Sequence, residues 1–94
     1  MALVFEWDEK KSERNFKKHG VSFEEASTVF GDPLSLTIDD PLHSTEEHRS
    51  VIIGQSIQNR ILVVVHAERG ERIRIISARI TTRHERKTHE EGQD

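Results

Sequence analysis

Apolar positions along this chain recur at a spacing of two near its start and through its second half, and at helical spacing in between. In ALVFEW, Leu3, Phe5 and Trp7 fall on one side of an extended chain and predict a short strand. Asp8 then stands as an N-cap, and a polar helix follows to about His19. Gly20 sits where a left-handed residue ends such a helix, and Lys17, Lys18 and His19 fill its last turn, where cations complement the macrodipole. Ser22 with Glu25 three residues on reads as a capping box for a second helix, which buries Phe23, Ala26, Val29 and Phe30 until Gly31-Asp32-Pro33 stops it. These rules account for the whole of NFKKHGVSFEEA (15–26) and give His19 a structural role.

Beyond Pro33 the spacing becomes that of strands. LSLTI (34–38) alternates weakly, and DDPLHSTEEH (39–48) is an acidic loop. RSVIIGQSI (49–57) is a strand with Gly54 as a candidate bulge, Gln58-Asn59 is a turn, and ILVVVHA (61–67) is apolar enough for the centre of a sheet. Glu68-Arg69-Gly70 makes another turn before RIRIISAR (72–79). Such short connections predict an antiparallel meander. TTRHERKTHEEGQD closes the chain as a charged helix that frays into a tail over 89–94. The fold class expected is α+β: two N-terminal helices packed on an antiparallel meander sheet, followed by a C-terminal helix, in a single domain over 1–94.

Composition bounds what such a domain can be. Apolar and charged residues each make up 33% of the chain, so the core is thin and the surface heavily ionised. There is no cysteine, and the six histidines match no zinc-binding spacing, so no metal or other cofactor is expected. No apolar run approaches the roughly 18 residues of a membrane span, and acids arrive too early for a signal peptide, which places the chain in the cytoplasm. Charge is split between the halves. Residues 1–47 carry 5 Lys/Arg against 11 Asp/Glu, whereas 48–94 carry 9 against 6. Eight of those nine are arginine, whose planar fork grips phosphate or carboxylate with two bonds.

Three groups of residues stand out as candidates for chemistry. Arg72 and Arg74 share one face of the last strand while Ile73 and Ile75 take the other, so the arginine face is not core. Arg79, Arg83 and Arg86 form a stripe if the final helix starts near residue 79. His66 ends the apolar strand beside Glu68 and Arg69, and its ordinary pKa of about 6.5 suits proton transfer. Glu6 and Trp7 belong to the first motif, with Trp7 in the core.

FEWDEKK, NFKKHGVSFEEA, FGDPLSLTIDD, the IIG of 52–54, LVVVHAERG, RIRIISAR and TRHER occur in this order between Phe5 and Glu91, and together they resemble the BrnT family. The resemblance implies an endoribonuclease toxin of a bacterial type II toxin–antitoxin system, with a RelE-like fold. It also implies a BrnA-type antitoxin carrying a ribbon-helix-helix DNA-binding domain, in a 2:2 complex that meets DNA only through the antitoxin. RNA would be the substrate. On that reading His66, Glu68, Arg79 and Arg83 are the catalytic residues and Arg69, Arg72, Arg74 and Arg86 contact RNA. The alternative is a non-catalytic arginine-rich module that binds a protein or nucleic acid. Where the family pattern continues to a tyrosine, this chain has His89, so a loosely docked last helix is expected.

Overall fold

The structure, a computed structural model, describes residues 3–39 and 48–91. Along the chain run β1 (Val4–Glu6), α1 (Glu9–His19), α2 (Phe23–Thr28), a 3-10 turn (Val29–Gly31), β2 (Leu36–Asp39), β3 (Arg49–Gln55), β4 (Ile61–Arg69), β5 (Arg72–Ile80) and α3 (Arg83–Glu91). Most of the acidic loop expected at 39–48, and the tail beyond Glu91, lie outside the described residues. No helix among them is long and apolar enough to cross a membrane.

Local chemistry sets the first two helices. Asp8 Oδ1 accepts hydrogen bonds from the backbone N–H groups of Lys10 and Lys11, and Gly20 ends α1 in the left-handed conformation at φ 72°. Ser22 Oγ accepts from the Glu25 N–H at 3.1 Å, but the Glu25 carboxylate does not complete the expected capping box. It turns inward instead, accepting from Ser56 Oγ at 2.7 Å and from Arg60, whose Nη2 also reaches the Gly20 carbonyl at 2.9 Å. One buried carboxylate therefore ties α1, α2 and the β3–β4 hairpin together. Val29 and Phe30 lie in the 3-10 turn rather than in α2.

The strands order as β1-β5-β4-β3-β2. β2 to β5 form the antiparallel meander, and β1 joins it in parallel beside the first half of β5. The sheet is thus mixed, because the two helices between β1 and the meander carry the chain over one face. β3 runs through Gly54 in register, so Gly54 is not a bulge. A Cβ there would stand 2.9 Å from both Ser35 Cβ and Val29 Cγ1, and close approach is what the position requires. The irregularity lies on β5, where Ile76 is the extra residue opposite Val65 and His66. β4 continues to Arg69, so Glu68 and Arg69 are strand residues and the turn is Gly70-Glu71.

Val21, Phe23, Ala26 and Val29 pack on Ile52, Leu62, Val64, Ile75 and Ala78, with Phe5, Trp7 and Phe30 at the margin. The Trp7 ring stands edge-on to Phe23. Where β1 ends, β5 would lose its ladder partner. Asn15 supplies one: its Nδ2 donates to the Ala78 and Val21 carbonyls at 2.8 Å each, and its Oδ1 accepts from the Ala78 N–H.

α3 starts later than the sequence reading placed it. Thr82 and Glu85 make a complete capping box, each side chain accepting from the other's backbone N–H, and the helix begins at Arg83. Arg79 therefore belongs to β5, and the expected helical stripe of Arg79, Arg83 and Arg86 does not exist. Nor is the last helix loosely docked at its end. His89 is only 3% exposed, with Nε2 3.5 Å from Asp32 Oδ2, and the helix runs on to Glu91.

Candidate active site

Register decides which side chains meet. Residues paired across a sheet share a face, and His66 pairs with Ile75 while Arg74, next along β5, pairs with Ala67. Ile75 is core, so His66 points toward α1 and α2. It is 2% exposed, its ring lies edge-on to Phe30 at 4.8 Å, and burial pushes its pKa below the ordinary value. The arginines are on the other side. Arg69, Arg72, Arg74 and Arg79 all face away from the two N-terminal helices, through their pairings with Arg72, Val4, Glu6 and Val63. The sheet separates His66 from every one of them.

The open face instead brings in a residue to which the sequence reading gave no role. Glu6, on β1, stands across from Arg74 in parallel register, with Oε1 3.4 Å from Arg69 and Oε2 3.5 Å from Arg72. A carboxylate between the guanidinium groups of Arg69 and Arg72, with Arg74 on the same face, can accept a proton while the cations hold an anion. The signal was present in the alternation of β1, where Glu6 falls between Phe5 and Trp7, but its partners become visible only once β1 is known to lie beside β5. Glu68 is exposed at the end of β4 and lines a cleft of about 490 Å³ together with Arg72, Val4 and Ile73. Glu68 pairs with Ile73, however, so it leaves β4 on the same side as His66, with the sheet between it and the arginine face.

Arg79 stands apart from this group. Its guanidinium is clasped by Glu85 through two bonds of 2.7 Å, which hold the Glu85 carboxyl down at about 2. Because Arg79 faces away from α1 and α2, the clasp also places α3 on the open side of the sheet, where Val63 and Ile53 are buried. Arg83 and Arg86 are exposed on α3.

A family profile described as "Ribonuclease toxin, BrnT, of type II toxin-antitoxin system" matches residues 7–85. Among solved structures, the 1.1 Å crystal structure of the Brucella abortus ribonuclease toxin BrnT shares the fold. It superposes with a TM-score of 0.63 at 22% identity, over 87% of this chain and the whole of that one. No curated protein matches the chain. Since the profile spans most of the sequence, from Trp7 through Glu85, the chain belongs to the BrnT family of ribonuclease toxins of type II toxin–antitoxin systems.

Proposed function

We propose that the chain cleaves RNA without a metal ion, on the open face of the sheet at its β1–β5–β4 side, and that this cleavage inhibits translation and growth. The observation that carries the reading is Glu6 set between Arg69 and Arg72 and beside Arg74. Glu6 takes the proton from a 2′-hydroxyl, whose oxygen attacks the adjacent phosphorus. Arg69, Arg72 and Arg74 then hold the charge of the phosphorane. The bond to the 5′-oxygen breaks, and the proton now on Glu6 passes through a water molecule to the leaving oxygen. The products are a 2′,3′-cyclic phosphate and a free 5′-hydroxyl.

This site keeps Arg69, Arg72 and Arg74 from the sequence reading, leaves His66 as a packing residue under Phe30 and puts Glu68 on the helix side of the sheet, outside the site. Arg79 acts through Glu85 to position α3, and Arg83 and Arg86 extend positive charge beyond the site.

A type II toxin has a cognate antitoxin. Here it is a BrnA-type protein with a ribbon-helix-helix domain, assembled two toxins to one antitoxin dimer in the cytoplasm and reaching DNA through the antitoxin alone. A segment disordered when free folds over the arginine face, with carboxylates on Arg72 and Arg74, so that inhibition is competitive with RNA. The competing reading makes the Glu6 contacts a surface ion pair in a module without catalysis, and the side-chain exposure of Arg72, 65%, favours it. Incubating the purified chain with total RNA in EDTA separates the two. Fragments ending in 2′,3′-cyclic phosphate are expected, and intact RNA at high protein excess would leave only the binding module.

A further inference from the structure

Carboxylates neutralise many of the cations that this fold gathers: Glu25 takes Arg60, Glu6 takes Arg69 and Arg72, Glu85 takes Arg79, and Glu91 takes Lys87. One side of α1 is different. Lys11, Arg14 and Lys18 follow one another at three and four residues, so they form a single stripe, and with His19 they line a cleft of about 250 Å³ against Ile76 and Ser77 of β5. Among the described residues none of the three has a carboxylate within ion-pair distance.

Helix chemistry does not explain this stripe. A cation in the last turn, such as Lys18, complements the macrodipole, but Lys11 lies in the first turn, where a cation opposes it. Lys11 with Arg14, and Arg14 with Lys18, are like-charge neighbours that disfavour the helix. Asn15, on the same side of α1, clamps it to Ala78, which holds the stripe over the edge of β5 that β1 leaves uncovered. Ser77, just past the bulge, pairs with Val65 and so stands on the arginine face between Arg74 and Arg79. The cleft is therefore the margin of that face.

We propose that Lys11, Arg14 and Lys18 are a phosphate track that receives the RNA strand as it leaves the arginine face over the edge of β5. The inference rests on the reading of this face as the RNA site, and it adds a second, non-catalytic contact surface on α1. The stripe spans about 10 Å along the helix axis, enough for a few consecutive phosphates. An acidic protein segment fits less well, because among the described residues Ile76 is the one aliphatic side chain lining the cleft and a protein anchor needs an apolar pocket.

The test uses the full chain and a fluorescent 2′-O-methyl RNA 12-mer, which has no free 2′-hydroxyl and cannot be cut. Its affinity is measured over a series of salt concentrations for the wild type, for Lys11→Gln/Arg14→Gln/Lys18→Gln, and for a charge-matched control, Lys10→Gln/Lys17→Gln/Lys87→Gln. The track variant is expected to bind about tenfold or more weakly at physiological salt, and to lower the slope of log affinity against log salt by about 2, at roughly 0.7 per lost phosphate contact. The control should keep the wild-type slope. Equal affinity and slope in the track variant would overturn the proposal, as would equal losses in both triples. So would a track variant that binds RNA normally but loses the antitoxin, which would make the cleft a protein site. Thermal melting verifies the fold, and cleavage of total RNA by the wild type is followed in parallel. A chain that cuts RNA while its binding ignores the track substitutions sinks the track alone, whereas one that binds through the track but cuts nothing sinks the cleavage reading alone.

Discussion

Arg79 of β5 donates two hydrogen bonds of 2.7 Å to the carboxylate of Glu85 in the first turn of α3, and this clasp holds the last helix on the open side of the sheet. Glu85 also caps its own helix through Thr82, so one side chain starts α3 and docks it. Its carboxyl is held at about 2, below the ordinary 4.5. A depressed carboxylate contributes stability above the ordinary pKa and loses it as pH falls through the folded value.

Arg79→Ala should therefore lower the melting temperature at neutral pH. Solvent around Arg79, whose side chain is 42% exposed, screens the pair, and a loss of about 1 kcal/mol is expected. The difference between wild type and variant should shrink as pH falls from about 4.5 to about 2. Melting curves across that window test this. A difference that stays constant with pH would mean that Glu85 does not titrate against Arg79.

Arg60→Ala should destabilise more. Glu25 is 4% exposed, and hydrogen bonding to Arg60 is the main reason its pKa is lowered. Removing the guanidinium leaves a buried carboxylate with only Ser56, which typically costs about 3–5 kcal/mol. Chemical denaturation measures it directly. The double variant Arg60→Met/Glu25→Gln should recover part of the loss.

These two carboxylates also mark how far the sequence could be read. Asp8, Gly20 and Ser22 were legible because a cap is satisfied within four residues. Glu25 was read as a capping-box partner because its actual partner, Arg60, is 35 residues away. Thr82-x-x-Glu85 carried a capping-box signature, but reading the helix from residue 79 put Arg79 on it. Order and type of elements followed from spacing, and the α+β arrangement with its meander came through. What did not come through depends on register: the parallel placement of β1, the bulge at Ile76 and the side of the sheet on which His66 falls. The RNA site was assigned to arginines correctly placed on one strand face, yet the histidine chosen to serve them lies behind the sheet. His89 read as a poor substitute for an aromatic residue, because its contact with Asp32 joins positions 57 residues apart.

Gly54→Ala tests the packing account of β3. The new Cβ would meet Ser35 Cβ and Val29 Cγ1 at 2.9 Å, and overpacking of this kind costs about 1–3 kcal/mol. A lower denaturation midpoint is expected. An unchanged or higher midpoint would mean that the position tolerates a side chain, and that close approach is not what glycine serves there.

The most direct measurement on the site is the single-turnover rate of RNA cleavage by Glu6→Gln, in EDTA, on one defined RNA. Arg69, Arg72 and Arg74 remain in this variant, and Glu6 is a surface residue of a short strand, so the fold should persist. If Glu6 takes the 2′-hydroxyl proton, the rate falls by about 10² to 10⁴ with RNA still bound. A folded Glu6→Gln chain that cleaves within a factor of about two of the wild-type rate would contradict this assignment and remove the active site from the arginine face.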